Sequence, residues 1–291
     1  MGLANRAGMI SGYFAKDRNF PISLREVVKY GLLQRTCKQI GPEYVTEIRD
    51  CGALEMVSLR EISGPLYWPK EISHRELYKS CADCLHPAQW HHYEVPETSV
   101  EGGENVVDCG AAEGVFSLSV AGRAGKMALF EPWNGFHASL QATFGGRCEI
   151  RPQALGNHTH SAYLSGSLLY GQVNQTEGTS ISVTTLDDFR RDFGPIDFIK
   201  ADVEGSEHDL LAGAKETIFA DRPKIAITTY HLGNDWEHMV SLVRGVVPGY
   251  QFRTKGVAYC GGKAHPVMLH MWNPSRKLRH NPYIFQQPSC S

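Results

Sequence analysis

The segment Asn105-Val106-Val107-Asp108-Cys109-Gly110-Ala111-Ala112-Glu113-Gly114-Val115-Phe116 restricts this chain more than any other. A short apolar run reaches an acid, turns at two glycines and resumes with apolar residues at helical spacing, so strand, tight turn and helix follow one another. Gly110 and Gly114 carry no Cβ, which lets the backbone turn sharply and lets a ligand approach the main chain. The spacing also selects among ligands. A dinucleotide loop reads G-x-G-x-x-G and sets its helix N-terminus against a pyrophosphate. Here Ala111 and Ala112 stand where the second glycine would be, which disfavours a pyrophosphate and with it a nicotinamide dehydrogenase. The pattern Asp-x-Gly-x-x-x-Gly fits instead a nucleoside with a charged, phosphate-free tail, as in S-adenosylmethionine, held by Asp108, Gly110, Ala111, Glu113 and Gly114. An ordinary strand-to-helix turn has the same pattern and stays open on this stretch alone.

Lys126-Met127-Ala128-Leu129-Phe130-Glu131 reads as the next strand. It ends in an acid about twenty residues on, the position from which a carboxylate accepts hydrogen bonds from ribose hydroxyls. Glu131 is therefore the expected ribose ligand, the alternative being a solvated acid at a strand end. Strands and helices then alternate: a helix from Val115, one over Trp133 to Phe144, and a strand over Cys148 to Arg151. Strands separated by helices imply right-handed crossovers, hence an α/β fold with a parallel sheet and ligands at the carboxyl ends of its strands. Just past the third strand, Leu155 is placed to give adenine an apolar face and Asn157 to reach its amino group. The polar, Gly- and Ser-rich interval from Gly156 to Ser180 reads as a hairpin or a loop near the site.

The 291 residues are 42% hydrophobic, enough for a sizeable interior. A net charge of -2, without any dense cluster of lysine and arginine, argues against a nucleic-acid partner. No apolar run reaches the roughly 20 residues of a membrane span. Met1 to Arg6 lacks a signal-peptide core and the Ser or Thr of a myristoylation site, so a cytoplasmic location is expected. Cysteines are scattered, and Cys109 sits inside the loop, so reduced thiols are expected. Cys81, Cys84 and His86, with His91 and His92 close behind, have the ligand types of a zinc site. A single C-x-x-C lacks a second pair, and the preferred reading is two thiols on adjacent helical turns followed by surface histidines.

Residues 1–100 lack the alternation that follows. A helix is expected from Pro21 to Leu33, a half-buried strand over Ala53 to Ile62, and a helix from His74 to Cys84. Tyr67 and Trp68 read as core packing ahead of a substrate wall, in a cap over the cofactor's open side. Farther on, Ile196 to Glu207 carries the second informative pattern, an apolar strand leading into Lys200, Asp202 and Glu204 at alternate positions. An unpaired interior charge costs several kcal/mol, so these three must pair, bind or face the cleft. A purely structural arrangement satisfies them as well, with Lys200 bridged to one acid and Glu204 capping the next helix.

Taken in order, Val106 to Gly114, Leu129-Phe130-Glu131-Pro132, Thr185-Leu186-Asp187-Asp188-Phe189, Asp197 to Glu207, and Pro223 to Ile227 followed by Tyr230-His231 resemble the motifs of the FkbM-type methyltransferases. The resemblance covers roughly residues 100–272. It implies a class I methyltransferase, a Rossmann-like sheet of seven strands, mostly parallel with the last strand antiparallel. It implies S-adenosylmethionine as methyl donor and O-methylation of a hydroxyl on a sugar or natural-product acceptor. The expected organisation is an N-terminal helical or mixed cap on the substrate side over 1–100, a methyltransferase domain over 101–272, and a basic tail over 273–291 that wraps the surface or lacks order. The chain departs from the family where Ala112 or Glu113 stands in place of a common Asn, which changes loop contacts, and where Thr229 replaces an acid, so the family's catalytic assignment does not carry over there. That missing acid keeps a second reading open, a methyltransferase-fold binding or scaffold subunit without turnover. Association into a homo-oligomer is also left open.

A sulfonium methyl is already activated. The protein must hold the acceptor oxygen about 3 Å from the methyl carbon and, for an alcohol, take its proton. His231, after the fifth strand, is the first choice of base because an imidazole accepts a proton at neutral pH. Asp202 and Glu204 are the others, and Asp202 is also a cofactor contact. Lys200 would stabilise a developing alkoxide or neutralise Asp202. Two acids with a metal are a further arrangement, for which no third ligand is identifiable and none is assigned.

Overall fold

The computed structural model describes residues 10–11, 13–14, 20–30, 35–167, 170–174, 176–231, 235–260 and 263–276. The end of the helix expected up to Leu33 and the tail from residue 277 lie outside the described residues. The chain first forms an antiparallel meander of β1 (Val45–Cys51), β2 (Leu54–Leu59) and β3 (Leu66–Pro69). The half-buried strand expected over Ala53 to Ile62 is β2. The aromatic pair lies on β3, where alternation turns Leu66 and Trp68 inward, and the Trp68 indole N–H donates to the Ile72 carbonyl at 2.9 Å. Trp68 is a core residue, whereas Tyr67 points to the opposite face of the strand and is half-buried; neither lines the cleft described below. A helix over His74–Leu85 follows.

Next come β4 (Val106–Cys109), β5 (Met127–Phe130) and β6 (Glu149–Arg151), paired in parallel. The chain then leaves to build a separate sheet from β7 (Gln153–Leu155), β8 (His160–Ser167), β9 (Tyr170–Asn174) and β10 (Thr179–Thr184), in the order β7-β10-β8-β9. The interval read as a hairpin or loop does contain the β8–β9 hairpin, and the sheet around it closes over a small core of Ala154, Ala162, Leu164, Ile181 and Val183. Afterwards the chain returns with β11 (Phe198–Ala201), β12 (Lys224–Thr228), β13 (Gln251–Lys255), a short hairpin of β14 (Ala258–Cys260) and β15 (Lys263–His265), and β16 (Met268–Trp272).

The main sheet runs β13-β16-β12-β11-β4-β5-β6, with only β16 antiparallel to its neighbours. This is the class I methyltransferase arrangement. β4, β5, β11 and β12 are buried at every position, as parallel strands covered on both faces must be. Side chains alternate between the two faces. Val107, Cys109, Ile199 and Ala201 enter a core with the helices Leu186–Phe193 and Trp236–Val246, whereas Val106 and Phe198 meet the helix Val115–Val120 together with Trp68 and Leu77. From β4 the chain proceeds to β5 on one side, and from β11 to β12 on the other, so a crevice opens where their carboxyl ends diverge. Register places Lys200 directly opposite Asp108. Among the described residues, no helix is long and apolar enough to cross a membrane, and Cys37, Cys51, Cys81, Cys84, Cys109 and Cys148 are free thiols.

Candidate functional site

The loop after β4 is held by backbone geometry before any ligand is considered. Gly110 has φ +77°, and a Cβ there would lie 1.9 Å from the carbonyl oxygen of Asp202, so only glycine lets the loop pass so near the end of β11. The N–H groups of Gly110 and Ala111 both donate to the Phe130 carbonyl, at 2.9 and 3.0 Å. Glu131 fastens the other side: its Oε2 accepts from Ala112 N and its Oε1 from Trp133 N, each at 2.8 Å. Gly114, at φ +83°, begins the helix Val115–Val120 in a left-handed conformation.

Gly110, Ala111, Glu113, Glu131, Leu155 and Asp202 line one cleft, and Lys200 and Glu204 join them. Four other expected site residues are placed elsewhere. Asp108 is fully buried beneath the loop, where it accepts from Ser117 Oγ at 2.7 Å and lies 2.8 Å from Lys200 Nζ. It braces the loop and is not a cleft wall. Gly114 likewise shapes the turn without lining the cleft, and a Cβ there would run into Leu140 and Phe144. Asn157 is exposed and donates to Asp209 Oδ1 at 2.7 Å, away from the position expected of an adenine partner. His231 stands behind the wall rather than on it.

The chemistry of His231 differs from the expectation too. Its Nδ1 lies 2.8 Å from Glu207 Oε1, and its Nε2 lies 3.6 Å from Asp202 Oδ1 and 3.4 Å from Glu204 Oε2. Burial alone would lower its pKa, but these carboxylates overcome that and raise it to about 9. These carboxylates hold the His231 proton more tightly than an ordinary imidazole does, which weakens it as an acceptor at neutral pH. Lys200 is also occupied: it donates to the Gly110 carbonyl and pairs with Asp108. Burial opposes its charge, and Asp108 with Asp202 holds its pKa above the ordinary lysine value. Its main partner is Asp108, not Asp202.

Asp202 accepts from Tyr93 Oη at 2.7 Å and from Thr228 Oγ1 at 3.2 Å. Burial would raise its pKa, yet His91, His231 and Lys200 together bring it down to about 2, so it is an anion at working pH. Asp202, Glu207 and His231 have ligand atoms within 4.8 Å of one another, the one such group among the described residues. Glu207 accepts from Val203 N and Gly205 N at 3.2 and 3.0 Å, Asp202 and Glu207 share the one hydroxyl proton of Thr228, and His231 supplies the positive charge. This donor set suits a carboxylate–imidazolium cluster rather than a cation.

The sequence reading did not anticipate the wall opposite the loop. Glu76, Lys79, Ser80 and Asp83 line the cleft from the helix His74–Leu85. Their spacing of three, four and seven is a polar stripe on one helical face, a signal present in the sequence and overlooked beside the cysteines. Ser80 Oγ donates to Glu113 Oε1, joining this helix to the loop. Cys81 and Cys84 do sit on adjacent turns, but the histidines after them are not surface residues: His91 lines the cleft and His92 Nδ1 contacts the Cys84 carbonyl at 2.7 Å. Tyr230, following β12, is a further wall residue. Thr229 is buried, donating to the Pro266 carbonyl at 2.7 Å, and faces away from the cleft.

A family model described as the methyltransferase FkbM domain matches residues 108–253, just over half of the chain. No curated protein matches. Among solved structures, the methyltransferase FkbM from Methylobacillus flagellatus KT is 22% identical, over 68% of this chain and 52% of its own, with a TM-score of 0.48. This chain thus matches about half the length of that protein. The precorrin-6y C5,15-methyltransferase from Geobacter metallireducens GS-15 is 11% identical, over 61% of this chain and 83% of its own, with a TM-score of 0.37. TYW2 of P. horikoshii, solved in complex with MeSAdo, is 15% identical, over 77% of this chain and 73% of its own, with a TM-score of 0.41.

Proposed function

This chain belongs to the FkbM methyltransferase family, and we propose that it transfers a methyl group from S-adenosylmethionine to a hydroxyl of a sugar or small natural-product acceptor. The observation that carries the reading is Glu131. Two backbone N–H groups aim its carboxylate from the tip of β5, and each oxygen keeps a further lone pair for a ribose hydroxyl on the cleft side. The donor fits this cleft: Gly110 admits close backbone approach, and Leu155 offers an apolar face to adenine. When bound, S-adenosylmethionine supplies an electrophilic methyl that needs no further activation.

The protein's own share is to orient the acceptor, exclude water and take a proton. The stripe Glu76, Lys79, Ser80 and Asp83 offers both hydrogen-bond donors and acceptors, which supports a hydroxyl-rich acceptor. Free thiols support a reducing, cytoplasmic setting. Incubation with methyl-labelled S-adenosylmethionine and a panel of methyl glycosides and other hydroxylated metabolites tests the function. Label is expected in an alkali-stable ether. Label on nitrogen or carbon would contradict O-methylation, and S-adenosylhomocysteine binding without any transfer would favour a scaffold subunit.

A further inference from the structure

The acids that line the cleft differ in what they have left to offer. Asp202 already accepts from Tyr93 Oη at 2.7 Å, and with a pKa brought down to about 2 it takes up a proton poorly. Glu113 is buried and accepts from the Ser80 hydroxyl, and Glu131 is committed to two backbone N–H groups. Glu204 stands apart. It lines the cleft, its side chain keeps 31% of its surface exposed, and neither of its oxygens is among the buried polar atoms that lack a partner. Nor does it cap the next helix: Ser206 is the N-cap residue, and the carboxylate of Glu207 takes the N–H groups of Val203 and Gly205. Its φ of +53° is left-handed, a conformation that costs a glutamate energy, and Gly205 follows at +107°. Backbone held in this way recurs at active sites.

The sheet order also favours it. With adenine against Leu155, after β6, and ribose at Glu131, on β5, the sulfur is at the opposite end of the ribose from adenine and so falls toward β4 and β11. Glu204 follows β11 there, two residues after the Asp202 carbonyl that Gly110 approaches so closely. Resting on the methyltransferase reading above, we propose that Glu204 is the general base for the acceptor hydroxyl, and that His231, anchored by Glu207, is the positioning residue that holds its carboxylate. The acceptor hydroxyl gives its proton to a Glu204 oxygen as its own oxygen bonds to the methyl carbon. The carbon–sulfur bond breaks with its electron pair left on sulfur, and Glu204 later returns the proton to water.

The groups facing Glu204 suit the role. Burial raises its pKa, His231 lowers it, Asp202 and Glu207 raise it and Lys79 lowers it, with the outcome at about 7. Tyr230 faces it too, as a phenol that burial and the neighbouring acids keep neutral. A base whose pKa lies near the working pH is ionised often enough to accept a proton and holds it firmly enough to draw it away. His231 Nε2 lies 3.4 Å from Glu204 Oε2 while its Nδ1 lies 2.8 Å from Glu207, so Oε2 is steadied from behind and Oε1 is left for the acceptor. Transfer needs the ionised carboxylate, so the rate at saturating donor and acceptor should climb as pH rises through about 7 and then level off.

Carbon-13 NMR of the full chain labelled at its glutamate carboxyls, with Glu204 assigned by the signal lost in Glu204→Gly, reads its titration without any acceptor. A midpoint at about 7 is expected, moved upward in His231→Gln, which removes the cation beside it. A midpoint below about 6 overturns the proposal, since such a carboxylate holds a proton too weakly. An unmoved midpoint in His231→Gln overturns the positioning role of His231. In the labelled-methyl assay, Glu204→Gly, which suits the left-handed backbone, is expected to bind S-adenosylhomocysteine like the unaltered protein. It is expected to lose about 10²- to 10⁴-fold in transfer and to regain part of it with added acetate, which replaces the missing carboxylate. Equal transfer by Glu204→Gly, or a loss that acetate does not relieve, refutes the role of Glu204 and leaves the cofactor reading intact. Failure of the unaltered protein to bind S-adenosylhomocysteine refutes both.

Discussion

Lys200→Met is expected to lower the unfolding free energy by about 3–5 kcal/mol, the usual cost of removing one member of a buried ion pair. The cause is the partner left behind. Asp108 is fully buried, and among the described residues its charge then retains the Ser117 hydroxyl alone as a close donor. The Gly110 carbonyl loses its donor in the same step, so the loop loosens as well. Methionine fills most of the lysine stem's volume, which keeps a cavity from dominating the result. Urea unfolding followed by circular dichroism gives the number. The double variant Lys200→Met with Asp108→Asn is expected to recover much of the loss, because no buried charge remains. A loss under about 1 kcal/mol for the single variant would show that the pair is solvated and does not brace the loop.

Glu131→Ala is expected to weaken S-adenosylhomocysteine binding by about 10²- to 10⁴-fold, from two charge-assisted hydrogen bonds worth about 1.5–3 kcal/mol each. An analogue lacking both ribose hydroxyls should bind the two proteins alike, which separates a lost ribose contact from a damaged loop. The carboxylate also imposes a pH dependence. Burial raises its pKa from 4.5 to about 7, while the Trp133 and Ala112 N–H groups limit the rise. Ribose hydroxyls donate to the ionised form, so below that value binding must first expel a proton and affinity falls by up to tenfold per pH unit. Affinity should climb as pH rises through about 7 and then level off. Folding has the opposite sense: because the folded pKa is raised, the stability linked to this group is fully present below its unfolded value and is lost as pH rises through about 7. Isothermal titration with S-adenosylhomocysteine at several pH values checks the first trend and urea unfolding at the same pH values the second, and both should vanish in Glu131→Ala.

The course from β4 through the glycine turn to Glu131 was legible because it depends on local rules: apolar runs, glycine and an acid at a fixed interval. The alternation also made the parallel sheet legible, since short strands joined by helices admit few other topologies. What escaped depends on register and on neighbours distant in sequence. Asp108 and Lys200 face each other only because β4 and β11 align them, and nothing within either strand announces the other. Nothing in the stretch around His231 announces that Glu207, Asp202 and Glu204 surround it. Serine and glycine hid the second sheet, whose small core rests on residues such as Ala162 and Val183 scattered among polar ones. Asn157 followed a strand as a cofactor residue would, but its neighbour Asp209 comes from a helix beginning far downstream. His91 was read with the cysteines before it, whereas its partners Asp202 and Tyr230 lie more than a hundred residues later.

The central claim is that the crevice at the carboxyl ends of β4 and β11 clasps an adenosyl amino acid, with Glu131 at the tip of β5 holding its ribose. A crystal structure of the protein grown with S-adenosylhomocysteine tests it most directly. The account predicts both ribose hydroxyls within hydrogen-bond distance of the Glu131 carboxylate and adenine against Leu155. Density for the ligand elsewhere, or a ribose that does not touch Glu131, would contradict it.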